Sequence, residues 1–117
     1  MRIQQQGQIL RLRISESELA RLMKGKTLVE SVYWPDGMAE HRHLRLGADF
    51  AWQRRPDGWV VTLPESEVMQ LVARLPSRQG LEFESPVPGA KALCVVFEVD
   101  VRDSVDKRGA GARRKRS

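Results

Sequence analysis

The chain has 117 residues, of which 41% are hydrophobic and 30% charged, with one cysteine and a formal net charge of +5. That length fits one domain, the apolar fraction suffices for a packed core, and a single Cys94 excludes an internal disulfide framework. The clearest apolar run, residues 92–97, is far shorter than the ~20 residues that cross a bilayer as a helix. Residues 1–8 also lack the apolar centre of a signal peptide, so a cytoplasmic, reducing setting is expected.

In chain order, residues 2–5 supply a short first strand, and residues 8–14 alternate strictly. Leu10, Leu12 and Ile14 share one face of that second strand, and Arg11 and Arg13 the other. Ser15 followed by Glu18 has the spacing of a capping box, and Leu19, Leu22 and Met23 then give one helical stripe that Gly25 ends. Residues 27–34 read as a strand closed by the turn Pro35-Asp36-Gly37. Residues 40–46 alternate again, with His41, His43 and Arg45 on one side. A short connection leads into residues 50–52, and the turn at 55–58 into a strand at 59–63. Pro64 suits a helix start, Val68, Leu71, Val72 and Leu75 give the second helix its apolar stripe, and Pro76 stops it. Strands at 81–84 and 90–101, with a Pro/Gly turn between them, complete the chain.

Two stretches of the chain match each other. Ile14-Ser15-Glu16-Ser17-Glu18-Leu19 aligns with Leu63-Pro64-Glu65-Ser66-Glu67-Val68 at an offset of 49, and the same offset pairs Leu10 with Trp59 and Leu12 with Val61. The expected fold is therefore α+β: an antiparallel sheet, able to curl toward a barrel, made from a duplicated strand-helix-strand-strand unit at about 8–46 and 57–101. Both short helices would pack on one face, against Leu10, Leu12, Ile14, Trp59, Val61 and Leu63, with Leu19, Leu22, Val68 and Leu71 facing them.

Charge is unevenly placed. Residues 1–103, the expected domain, carry 14 basic and 14 acidic residues, so the whole excess lies in residues 104–117. That segment reads as a disordered basic tail, and Lys107, Arg108, Arg113, Arg114, Lys115 and Arg116 could neutralise nucleic-acid phosphates without sequence preference. Within the domain, the polar sheet face brings forward Arg11, Arg13, His43 and Arg45 as candidates for a small anionic ligand, because guanidinium forks match phosphate and carboxylate oxygens.

Residues 9–101 resemble a family of short uncharacterised bacterial proteins, through the Gly7-Gln8-Ile9-Leu10-Arg11-Leu12-Arg13 strand, the Ser-Glu helix start and the late apolar strand at 93–97. More remotely, the duplicated unit resembles the triphosphate-tunnel (CYTH-like) fold, which implies a barrel binding triphosphates with metal through a first-strand Glu-x-Glu-x-Lys motif. Here that strand reads Arg2-Ile3-Gln4-Gln5-Gln6, so the resemblance implies a degenerate phosphohydrolase without the metal-binding carboxylates.

The remaining chemistry points away from catalysis. His41 and His43 share a strand face, but no third metal ligand stands near them in sequence. Cys94 falls in an apolar strand and is expected as a small core hydrophobe, and Trp34, Trp52 and Trp59 as packing residues. Glu16, Glu18, Glu65 and Glu67 begin helices, where the dipole favours negative charge. No Walker or GxGxxG pattern is present. The sequence therefore predicts a non-catalytic small domain with no cofactor and no metal.

Overall fold

The computed structural model describes residues 1–77 and 79–101. Ten elements follow one another: β1 (Arg2–Gln6), β2 (Ile9–Ser15), α1 (Glu16–Met23), β3 (Leu28–Tyr33), β4 (Ala39–Gly47), β5 (Ala51–Arg55), β6 (Gly58–Pro64), α2 (Glu65–Ala73), β7 (Leu81–Val87) and β8 (Ala90–Asp100). Every expected strand and helix is present, most with ends displaced by a residue or two. The basic residues 107–116 lie outside the described residues.

The strands form two four-stranded sheets, ordered β1-β2-β8-β7 and β3-β4-β6-β5. This corrects the single antiparallel sheet expected from sequence. Each sheet is mixed, because its two hairpins meet along a central parallel pair, β2 with β8 and β4 with β6. Neither sheet closes into a barrel, and the edge strands are β1 and β7 in one, β3 and β5 in the other. Sequence alternation fixes which face of a strand is buried, but says nothing about which distant strand becomes its neighbour.

The chain passes between the sheets through its helices. α1 carries it from β2 in the first sheet to β3 in the second, and α2 carries it back from β6 to β7. Each sheet is thus assembled from one hairpin of each half of the chain. α1 begins with a complete capping box: the Ser15 hydroxyl accepts from the Glu18 backbone N–H at 3.2 Å, and the Glu18 carboxylate accepts from the Ser15 backbone N–H at 2.9 Å. α2 starts from Pro64, which offers no side-chain cap.

The core contains the expected residues. Leu10, Leu12, Ile14, Leu19, Leu22, Trp59, Val61, Leu63, Val68 and Leu71 are all buried in one cluster, joined by Leu28, Leu44, Val95, Phe97 and Val99. Leu12 and Phe97 are register partners on the central parallel pair and neither is exposed at all. Phe50 and Phe83 stack at 4.6 Å between ring centroids and tie the start of β5 to β7 in the other sheet. Two packing expectations are corrected. Val95, Phe97 and Val99 turn inward on β8, so alternation turns Cys94 outward, where it is only partly buried. Trp34 stands at the β3–β4 turn with 47% of its surface exposed, while Trp59 is buried as expected.

Candidate functional site

Pairing in the first sheet sets out its outer face row by row. One row is Gln6, Ile9, Cys94 and Glu84; the next is Gln4, Arg11, Val96 and Glu82; the third is Arg2, Arg13 and Glu98. Base and amide therefore stand on β1 and β2, and acid on β7 and β8. At the centre, Arg11 Nη1 donates to Glu98 Oε2 at 3.2 Å and Arg13 Nη2 to Glu98 Oε1 at 3.3 Å. The arginine side chains remain 42% and 41% exposed, and each gives Glu98 one of the five donors of its guanidinium.

The four anion candidates do not form one site. Arg11 and Arg13 stand together on β2, whereas His43 and Arg45 project from β4 in the other sheet. Both β4 residues are engaged with β6. Arg45 Nε donates to Thr62 Oγ1 at 3.0 Å, and His43 Nδ1 lies 3.3 Å from the Trp59 carbonyl oxygen. Arg42, on the inward side of the same strand, is held between Glu30 at 3.2 Å and Glu40 at 2.9 Å.

Grooves border the β2 arginines, and their chemistry differs. A depression of about 260 Å3 is lined by Arg13 together with Glu98 and Asp100, and another of about 300 Å3 by Arg2, Arg13, Glu18 and Asp100, so carboxylates share both. The groove beside Arg11, about 470 Å3, is lined by Gln4, Gln5, Gln6, Ile9 and Arg11. Its outward-facing polar side chains are the Arg11 guanidinium and the amides of Gln4 and Gln6, with no carboxylate among the lining residues. An amide supplies two N–H donors and a guanidinium five, a set suited to an oxyanion. Gln4 and Gln6 were read from the sequence only as lacking the carboxylates of a metal site, not as candidate ligand residues. The signal available was their period-two spacing beside Arg2, which places all three on one face of an edge strand.

A second arrangement escaped sequence reasoning because it forms across strands. Ser31 Oγ lies 2.7 Å from His41 Nδ1, its register partner, and Asp57 Oδ2 lies 3.7 Å from His41 Nε2. The Asp57 contact is longer than a hydrogen bond, and Ser31 stands exposed on an edge strand. A carboxylate at that distance does not fix the imidazole tautomer that a serine nucleophile needs. No group of three or more His, Cys, Asp or Glu among the described residues could hold a metal ion.

Among the described residues, ionisation is shifted clearly at Glu18. Partial burial pushes the Glu18 carboxyl up, but the hydrogen bond from the Met1 α-amino group, the Ser15 backbone and hydroxyl donors and the α-amino charge outweigh it. The carboxyl is therefore held below the usual glutamate range, which anchors β1 to the start of α1.

No protein-family model matches this chain, and no curated protein does. No helix among the described residues is long and apolar enough to cross a membrane.

Proposed function

We propose that this chain is a non-catalytic binding domain that takes an anionic group on the outer face of the β1-β2-β8-β7 sheet, in the groove of Gln4, Gln6 and Arg11. The observation that carries this reading is the lining of that groove, which offers amide and guanidinium donors without a carboxylate. Glu98 supports it as a built-in example: a carboxylate already rests between Arg11 and Arg13, within hydrogen-bond distance of both. His43 and Arg45, on the other sheet, have no part in this site. A cytoplasmic setting belongs to the same reading.

A thermal-shift comparison of the full chain with inorganic phosphate and short dicarboxylates tests it. Binding to the native state raises the melting temperature by mass action. The wild type and Arg45→Ala are expected to respond, and Arg11→Ala to lose the response. A response lost in Arg45→Ala and kept in Arg11→Ala would overturn the assignment. Nucleic-acid association through Lys107, Arg108 and residues 113–116 is a separate proposal, and it predicts binding that Arg11→Ala leaves intact.

We also infer that the two halves arose by duplication. The order strand-strand-helix-strand-strand occurs twice, and β2 with α1 recurs as β6 with α2 at the sequence offset of 49.

A further inference from the structure

We propose that the anionic partner of this face is a second copy of the same chain, packed sheet against sheet about a two-fold axis that runs along the strands between β2 and β8. The inference rests on reading the Gln4, Gln6 and Arg11 groove as an anion acceptor, and it names the carboxylates that enter it.

Charge and symmetry select this arrangement. Outside the Arg11–Glu98–Arg13 cluster, the outer face leaves Arg2, Gln4 and Gln6 exposed on β1 and Glu82 and Glu84 exposed on β7. Neither of these glutamates takes part in an ion pair among the described residues; Glu82 has only the Cys94 thiol at 4.0 Å. The face therefore carries one acceptor edge and one donor edge, on opposite sides of a central strand pair. A two-fold axis lying in the interface exchanges left and right while turning one face onto the other. Along the strand direction, it lays β1 over β7 of the other copy and β2 over β8.

Row by row, this operation matches unlike groups. Gln4 comes opposite Glu82, Gln6 opposite Glu84, and Arg13 opposite Glu98, each twice over. In the same rows Ile9, 43% exposed, comes opposite Cys94, so the centre is apolar at that end. The alternative axis, in the plane but across the strands, lays β2 on β2 and sets arginine against arginine. Like charges directly opposed are destabilising, so the first axis is selected. Strand directions then remain aligned, as in face-to-face sheet packing.

The contact is small. Four strands span about 19 Å and the five residues 9–13 about 17 Å, well under the ~800 Å2 per partner of a standard stable interface. The pairing is accordingly concentration-dependent and sensitive to salt.

Sedimentation velocity on the full chain tests this. At low ionic strength the wild type is expected to shift from monomer to dimer with rising concentration, and to lose the dimer at about 1 M salt, where the screening length is about 3 Å. Arg13→Glu and Glu98→Arg are each expected to remain monomeric. Their equimolar mixture is expected to recover the dimer, because each mutated position then meets its opposite charge across the interface. Circular dichroism verifies that both variants fold. Ile9→Asp, which leaves the Arg13–Glu98 pair intact, is expected to abolish the dimer independently.

A chain that stays monomeric at every concentration while inorganic phosphate still binds overturns the second copy and leaves the anion site standing. A dimer unaffected by Ile9→Asp, or absent from the charge-swapped mixture, overturns this face as the contact. Dimerisation with the expected variant pattern but no phosphate binding supports the second copy and removes the free-anion reading.

Discussion

Arg13 and Glu98 are register partners on adjacent parallel strands, and their side chains meet at 3.3 Å on the outer face of the first sheet. The residues are 85 positions apart in sequence, and only the central β2–β8 pairing brings them together. Arg11 shares the same carboxylate, so Glu98 competes for the donors that an external anion would use.

Removing that competitor is expected to strengthen anion binding. Glu98→Gln keeps the shape of the side chain, removes its charge and replaces one of the two accepting oxygens with a donor, so its hold on the two guanidinium groups weakens. Half-exposed pairs of this kind contribute up to ~1 kcal/mol, which converts to an affinity gain of up to about fivefold for phosphate. Isothermal titration of the two proteins measures it. Weaker binding in the variant would mean that Glu98 holds the arginines in their binding geometry.

The capping box of α1 gives a pH dependence with a defined sign. Glu18 has a lowered pKa in the folded chain, so its stabilisation is complete above the ordinary glutamate value. It is lost as pH falls from there through the lowered value. Glu18→Gln is expected to flatten that part of the stability profile, and Ser15→Ala to cost about 1 kcal/mol at neutral pH. Urea unfolding across a pH series reads both.

Gly58 begins β6 beside β4, and a Cβ there would lie 1.8 Å from the His41 carbonyl oxygen. Backbone, not a flexible side chain, occupies the space, so relief requires the parallel pair to separate. Gly58→Ala is expected to lose about 1–3 kcal/mol, measured by denaturant midpoint. A neutral substitution would show that β4 and β6 are less closely held than described.

The interleaving of the two halves predicts shared folding. Each sheet needs a hairpin from residues 1–47 and another from residues 51–101. Either half alone leaves Leu12 without Phe97, or Leu44 without Val61, its partner in the other sheet's parallel pair. Separate halves are expected to show no cooperative thermal transition, and a mixture to regain one. A cooperative transition in one half alone would contradict this dependence.

These same pairings mark where sequence reasoning stopped. The period-two run of residues 8–14 identified the buried face of β2, and Ser15 with Glu18 identified the start of α1; in β6 the expected Trp59, Val61 and Leu63 are buried, but so are Val60 and Thr62 on the other face. Local chemistry determines those features. Which strands lie side by side at the sheet centres depends on partners 17 positions away for β4 with β6 and 85 for β2 with β8, and the alternation of Arg11, Arg13, His43 and Arg45 is the same whether they share one sheet or occupy two. The placement of the candidates was accordingly half legible: the pairing of Arg11 with Arg13 on one strand face could be read, their separation from His43 and Arg45 on another sheet could not, and Gln4 and Gln6 came beside Arg11 only once β1 was seen flanking β2. Cys94 was expected inward because its neighbours are apolar, although Val96 on the outer face is apolar as well and buried.

The most direct test of the account is a heteronuclear NMR titration of the full chain with inorganic phosphate. Saturable shifts are expected at the side-chain amides of Gln4 and Gln6 and at the Arg11 Nε–H, with all three lost in Arg11→Ala. Saturable shifts centred on His43 and Arg45, or no saturable shift on the first sheet's outer face, would contradict it.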